Sequence, residues 1–195
     1  DALTYGHIQE RPGYPPQLKL ANVKDRVFSA KEIEAFVAWF LATGRPEYAD
    51  LFVFLTETGA RIGEVLALKG EDIDLQKNRC TFWKTKNGKP RTIPLTTRAM
   101  DALAEHMPPR GSYRVWSLSY ASMRTQFDNA KLALGVHDVS LHTARHTCCS
   151  RMASGGIPLA KLMKFSGHTT LQAASRYLHL GVDDLDDCLA VLSGG

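Results

Sequence analysis

The segment Leu141-His142-Thr143-Ala144-Arg145-His146-Thr147 carries two cationic or hydrogen-bonding side chains three apart. At the start of a helix, His142 and Arg145 share one face. Free backbone N–H groups and the positive end of the helix dipole would join them in a cradle for a phosphate. A surface His and Arg near any helix start would look the same. Downstream, Gly167-His168-Thr169-Thr170 places an imidazole in a turn, and Tyr177 follows nine residues after His168. A Tyr at the end of a terminal helix can simply pack. It can also act as a nucleophile if nearby cations offset its ordinary pKa near 10, and His168, Arg145 and His142 could supply that environment.

Two further stretches add charge. Thr58-Gly59-Ala60-Arg61-Ile62-Gly63-Glu64 sets Arg61 at another helix start, where it can meet a phosphate or pair with Glu64 three residues on. Lys84-Thr85-Lys86-Asn87-Gly88-Lys89-Pro90-Arg91 gathers four cations around one tight turn. Such a turn can enter a DNA groove or reach over an active site; it can equally guard an exposed sheet edge. A metal site is disfavoured. His142 and His146 have the spacing of a zinc helix, but Thr143 stands where a metalloprotease has Glu. Adjacent Cys148 and Cys149 lack the two-residue gap of a zinc knuckle and read as buried thiols.

The elements that must hold these residues follow from periodicity. Residues 1–28 hold Pro12, Pro15 and Pro16 and no helical period, so they read as an arm. Ser29 with Glu32 forms a capping box, and Ile33, Phe36, Val37, Phe40 and Leu41 make one buried stripe. Pro46 opens a second helix, which ends at Thr58-Gly59, and a short helix covers 62–68. Short strands are predicted at 80–85 and 91–95 around Asn87-Gly88, with Leu75 in or beside a third. Thr96 or Thr97 caps the next helix, and further helices are predicted near 120–134, 142–153, 158–165, 169–179 and 183–192. The predicted class is α+β, mostly helical with one small antiparallel sheet.

The chain has 195 residues, and its 44% hydrophobic content suits a globular core. It shows no apolar run of the ~18 residues that a membrane span needs. Four irregularly spaced Cys predict free thiols in a reducing compartment. Net charge is only +4, but residues 79–180 hold 15 Lys and Arg against 4 Asp and Glu, between two acidic ends. That asymmetry suits a polyanion partner, with counterion release as a driving force, but on charge alone it more often marks a solvated basic face.

Taken in order, these stretches resemble the catalytic domain of the tyrosine recombinase (phage integrase) family over roughly residues 22–180. Thr58 to Leu68 with Glu71-Asp72-Ile73-Asp74 is similar to the family's first arginine box. Lys86-Asn87-Gly88-Lys89 before Thr92-Ile93-Pro94-Leu95 is similar to its hairpin lysine. His142-x-x-Arg145-His146-Thr147 is similar to the second arginine box. Ser166-Gly167-His168 and Arg176-Tyr177-Leu178-His179-Leu180 are similar to the histidine and tyrosine boxes. Thr143 and Ala144 depart from the acidic residue and Leu often found there. Among Lys84, Lys86 and Lys89, the offset from Asn87-Gly88 selects Lys86.

The resemblance implies a linker over 1–21, a catalytic domain over 22–182 and a tail helix over 183–195. The start at Asp1 predicts that an N-terminal DNA-clamping domain lies outside this chain. The implied activity is site-specific DNA cleavage and rejoining without metal, ATP or other cofactor. Tyr177 would form a 3′-phosphotyrosine link, Arg61 and Arg145 would grip the phosphate, Lys86 would protonate the leaving 5′-oxygen, and His142 and His168 would add hydrogen bonds. Lys84, Lys89 and Arg91 are expected to contact DNA. The implied partners are double-stranded DNA, a homotetramer on that DNA and accessory DNA-bending proteins, with no membrane. The implied location is the nucleoid of a bacterial cytoplasm. Two rival readings are a type IB topoisomerase, which shares the set but relaxes supercoils as a monomer, and a DNA-binding regulator without catalysis.

Overall fold

The computed structural model describes residues 26–177, apart from 84, 86 and 87. The expected arm over 1–21, the tail helix over 183–195, Lys84 and Lys86 lie outside the described residues. The elements run α1 (Ala30–Ala42), α2 (Pro46–Thr58), α3 (Ile62–Val65), a 3-10 turn at Gly70–Asp72, β1 (Ile73–Asp74), β2 (Arg79–Phe82), β3 (Arg91–Pro94), α4 (Thr97–Ala104), α5 (Tyr120–Leu134), α6 (Leu141–Ser154), α7 (Leu159–Ser166) and α8 (Leu171–Ser175). The class is α+β, as the periodicity predicts.

The central helix is α2, which packs against α1, α4 and α6. Its apolar residues are buried almost all round, from Leu51 to Leu55. Two buried hydroxyls need partners and find them one turn back: Thr56 donates to Val53 O at 2.8 Å and Thr58 to Phe54 O at 2.6 Å. On one side, Phe28, Phe36, Phe52 and Phe127 interlock edge-on and stacked, tying α1, α2 and α5 together. At the head of α1, the Ser29 hydroxyl accepts the Glu32 N–H and the Glu32 carboxylate accepts the Ser29 N–H, the predicted capping box.

The sheet is antiparallel in the order β1-β2-β3. Cys80 faces Ile93, and both are buried. Pairing ends at Phe82 opposite Arg91, earlier than the expected strands. Beyond it, Gly88 N–H donates to Thr85 O at 3.0 Å, with Gly88 at φ +68°. β3 also packs on α7, which brings the root of this hairpin to the turn that carries His168.

α2 ends at Gly59, whose φ of +58° is left-handed. A Cβ there would stand 3.0 Å from Cys148 Cβ on α6. Gly59→Ala is therefore expected to cost about 1–2 kcal/mol, from the left-handed backbone and the crowding together. A urea titration beside wild type checks this. α8 is shorter than the predicted 169–179: a turn at Arg176 and Tyr177 follows Ser175 and carries the phenol inward. Among the described residues, no helix is long and apolar enough to cross a membrane.

Candidate active site

Helix α6 supplies one wall of the site. His142, Arg145, His146 and Cys149 fall at i, i+3, i+4 and i+7, hence on one stripe. Position on that stripe decides burial: His142 is exposed at the rim, His146 is half-buried and Cys149 is fully enclosed. Arg145 is only 2% exposed. Its guanidinium donates to Gly59 O at 2.8 Å, so the left-handed end of α2 doubles as an anchor for it. Its other arm reaches His168 Nε2 at 3.2 Å.

The tautomer of His168 follows from its neighbours. The Ser166 hydroxyl donates to Leu162 O at 2.7 Å, so its oxygen must accept from His168 Nδ1–H, 2.6 Å away. Nε2 is then bare and accepts from Arg145. His168 is thus committed on both nitrogens and locks Arg145 in place. Desolvation, with Arg145 and Arg61 close by, draws the His168 pKa down to about 4. At the rim, partial desolvation of the ring together with the charges of His146, Arg145 and Arg61 brings His142 to about 4 as well. Both imidazoles are neutral hydrogen-bonding groups at pH 7.

Arg61 sits at the start of α3. Its Nη1 donates to Glu64 at 2.9 Å, and Glu64 also accepts the Arg61 backbone N–H at 3.1 Å. The pairing with Glu64 and the approach to Arg145 coexist: burial lowers the Arg145 pKa from its usual value, and the charge of Arg61 lowers it further. A buried guanidinium with a second one on the same site can serve as a receptor for an anion, since a bound phosphate would offset the charge gathered there.

Arg91 departs from the expectation of a DNA-facing cation. Its side chain is 8% exposed and pairs with Glu64, itself 4% exposed, at 2.7 Å. Its Nε donates to Phe165 O at 3.0 Å, and its guanidinium lies 4.7 Å over the Phe82 ring. Burial pushes the Glu64 carboxyl up, but the bond and charge of Arg91 and the bonds from Arg61 together outweigh it, so its pKa falls below the usual value. Arg91 thus ties β3 to α3 and α7. Exposed Lys89, with Thr85, Lys164 and His168, lines a cleft of ≈ 480 Å³ between hairpin and α7.

Tyr177 is 3% exposed and packs with Cys149 and Leu162. Its ring centroid lies 5.9 Å from that of His168. The sequence suggested that neighbouring cations would ease its ionisation. Instead its pKa is raised, chiefly by burial and by the Cys149 thiol beside it; Arg145 and Arg176 pull the other way without prevailing. Its hydroxyl lies 2.8 Å from His146 Nδ1, a contact sequence reasoning missed. His146 stands out in the sequence as half of a metal-spaced pair and within the second arginine box, and neither pointed to Tyr177. Among the described residues, no three His, Cys, Asp or Glu side chains are grouped as a metal site needs.

The structure therefore brings Arg61, Arg145, His142, His168 and Tyr177 to one place. Against this geometry, the sequence pattern of the Phage integrase family matches residues 26–183. The chain is similar to a shufflon-specific DNA recombinase of Escherichia coli, 29% identical over 163 residues, 83% of this chain and 42% of that protein. It is 29% identical over 132 residues to tyrosine recombinase XerA of Saccharolobus solfataricus, 67% of this chain and 45% of that one. The solved catalytic domain of bacteriophage HP1 integrase has the same fold, with a TM-score of 0.69 at 24% identity over 84% of this chain and 93% of that one. The chain spans about half the length of the curated relatives it matches.

Proposed function

This chain belongs to the phage integrase family, and on that premise we propose that it is the catalytic part of a site-specific DNA recombinase that cleaves and rejoins strands through Tyr177. The observation that carries the reading is the pair of guanidiniums, Arg61 and buried Arg145, gathered with His168 beside a buried phenol. Charge builds on the non-bridging oxygens of a phosphate as it passes through its five-coordinate transition state. Fixed planar donors stabilise that charge without reorganising.

The Tyr177 oxygen attacks phosphorus, and the Tyr177–phosphorus bond forms as the bond to the 5′-oxygen breaks. The departing electron pair goes to the 5′-oxygen, which Lys86 protonates as general acid. His142, neutral, donates a hydrogen bond to the phosphoryl group, and His168, neutral, holds the Arg145 guanidinium against it. The ester conserves the bond energy, so a 5′-hydroxyl from a partner strand can reverse the step without ATP. Double-stranded DNA is the substrate, with Lys84 and Lys89 gripping it beside the hairpin. Four copies would act together on paired sites, assisted by DNA-bending proteins, at the nucleoid.

Suicide duplexes with randomised sequence, each nicked just past the scissile position, test this. A covalent protein–DNA adduct is expected in denaturing gels, and Tyr177→Phe should abolish it. An adduct of equal yield from the variant would refute the assignment.

A further inference from the structure

His146 lies in the site, yet none of the roles assigned above uses it. Its Nδ1 is 2.8 Å from the Tyr177 oxygen, the atom that must attack phosphorus. Its Nε2 faces Arg176 Nη1 at 3.4 Å. A guanidinium can only donate, so this contact favours a bare Nε2, and in a neutral imidazole the hydrogen then resides on Nδ1. The phenol also packs against buried Cys149 on its enclosed side, whose sulfur can accept the phenolic O–H and leave a lone pair of the oxygen to accept from His146.

We propose that His146 is a catalytic residue of the strand-cleavage step, donating its Nδ1–H to the Tyr177 oxygen, with Arg176 fixing that tautomer from the other side of the ring. The proposal rests on the recombinase reading above. Its physical content is a donor aimed at the nucleophile while the oxygen is ionised. An N–H donor favours phenolate over phenol, and it does so where burial and Cys149 work against ionisation. It also fixes the oxygen's position next to Arg145, one residue away on α6. His146 does not take the phenolic proton, because Nδ1 already carries one; as the oxygen–phosphorus bond forms, that proton passes to a non-bridging oxygen of the scissile phosphate, which the DNA brings to the phenol. His168 cannot share this role, since its Nδ1–H is spent on Ser166 and its Nε2 on Arg145.

The tautomer can be read without any DNA. In protein labelled with ¹⁵N-histidine, long-range proton–nitrogen correlation at neutral pH should show one ring, absent from His146→Asn, with a protonated Nδ1 and a bare Nε2. Arg176→Gln should move that ring toward the Nε2–H form. An Nε2–H ring in the wild type overturns the proposal. On the randomised suicide duplexes, His146→Leu should slow single-turnover adduct formation by about 10- to 100-fold, the worth of a hydrogen bond to a charged group. His146→Asn, which keeps an N–H near the Nδ1 position, should recover most of that rate. His146→Leu cleaving as fast as wild type, or faster, would also overturn it. Were wild type itself to give no adduct, the recombinase reading would fail, while the nitrogen spectrum would still decide the tautomer.

Discussion

Arg145→Met is expected to lower covalent adduct formation by about 10²–10³-fold, the scale of losing one fixed donor to a transition-state oxygen, while leaving the melting temperature unchanged or higher. The two halves of this result have one cause. Arg145 is almost fully enclosed and, among the described residues, donates hydrogen bonds to one backbone carbonyl and one imidazole. Its pKa is lowered, first by burial and then by Arg61. A cation whose pKa falls on folding binds its proton less well in the folded state. Holding the charge therefore costs stability at every pH where the unfolded side chain is protonated, including pH 7. Methionine fills similar space and removes that cost, as replacements of buried ions by apolar side chains often do. Single-turnover cleavage and a thermal melt on the same preparation measure both halves. A folded variant with wild-type cleavage would show that Arg145 is a strut and not a phosphate ligand.

Glu64→Gln should do the opposite and weaken the fold by about 3–5 kcal/mol, the usual cost of breaking a buried pair from one side. Glu64 receives Arg91 at 2.7 Å and Arg61 at 2.9 Å. Without its charge, Arg91 stays enclosed with the Phe165 carbonyl, and its Nη1 already has no hydrogen-bond partner among the described residues. Urea unfolding reads the loss. The double variant Glu64→Met with Arg91→Met should be less destabilised than the two single changes summed, since both charges leave together. The pH dependence has a fixed sign. The folded pKa of Glu64 lies below its ordinary value, so its contribution is present in full above the ordinary carboxylate range and is lost as pH falls through the lowered folded value. In Glu64→Gln this part of the acid sensitivity should be missing.

That Arg61, Arg145, His168 and Tyr177 lie near one another was legible because residue type, spacing and chain order together are restrictive, and the helices around them follow from simple apolar stripes such as Ile33 to Leu41. What was not legible is long-range. Arg91 sits among cations at a turn and so reads as solvent-facing. Its partner Glu64 lies 27 residues earlier, and nothing local marks the pair. The burial of Arg145 depends on Gly59 O, 86 residues away. His146 looked like half of a metal pair because spacing shows that two rings share a helix face, not that a phenol 31 residues later turns in to meet one of them. That inward turn also explains why α8 stops short of the predicted helix: Tyr177 packs on Cys149 and Leu162.

The most direct measurement is the chemical identity of the protein–DNA bond. Adduct trapped on the randomised suicide duplexes, digested with nuclease and protease, should yield one peptide containing Tyr177, carrying a nucleotide through its 3′-phosphate. A nucleotide on any other side chain, or one attached through a 5′-phosphate, would contradict the account.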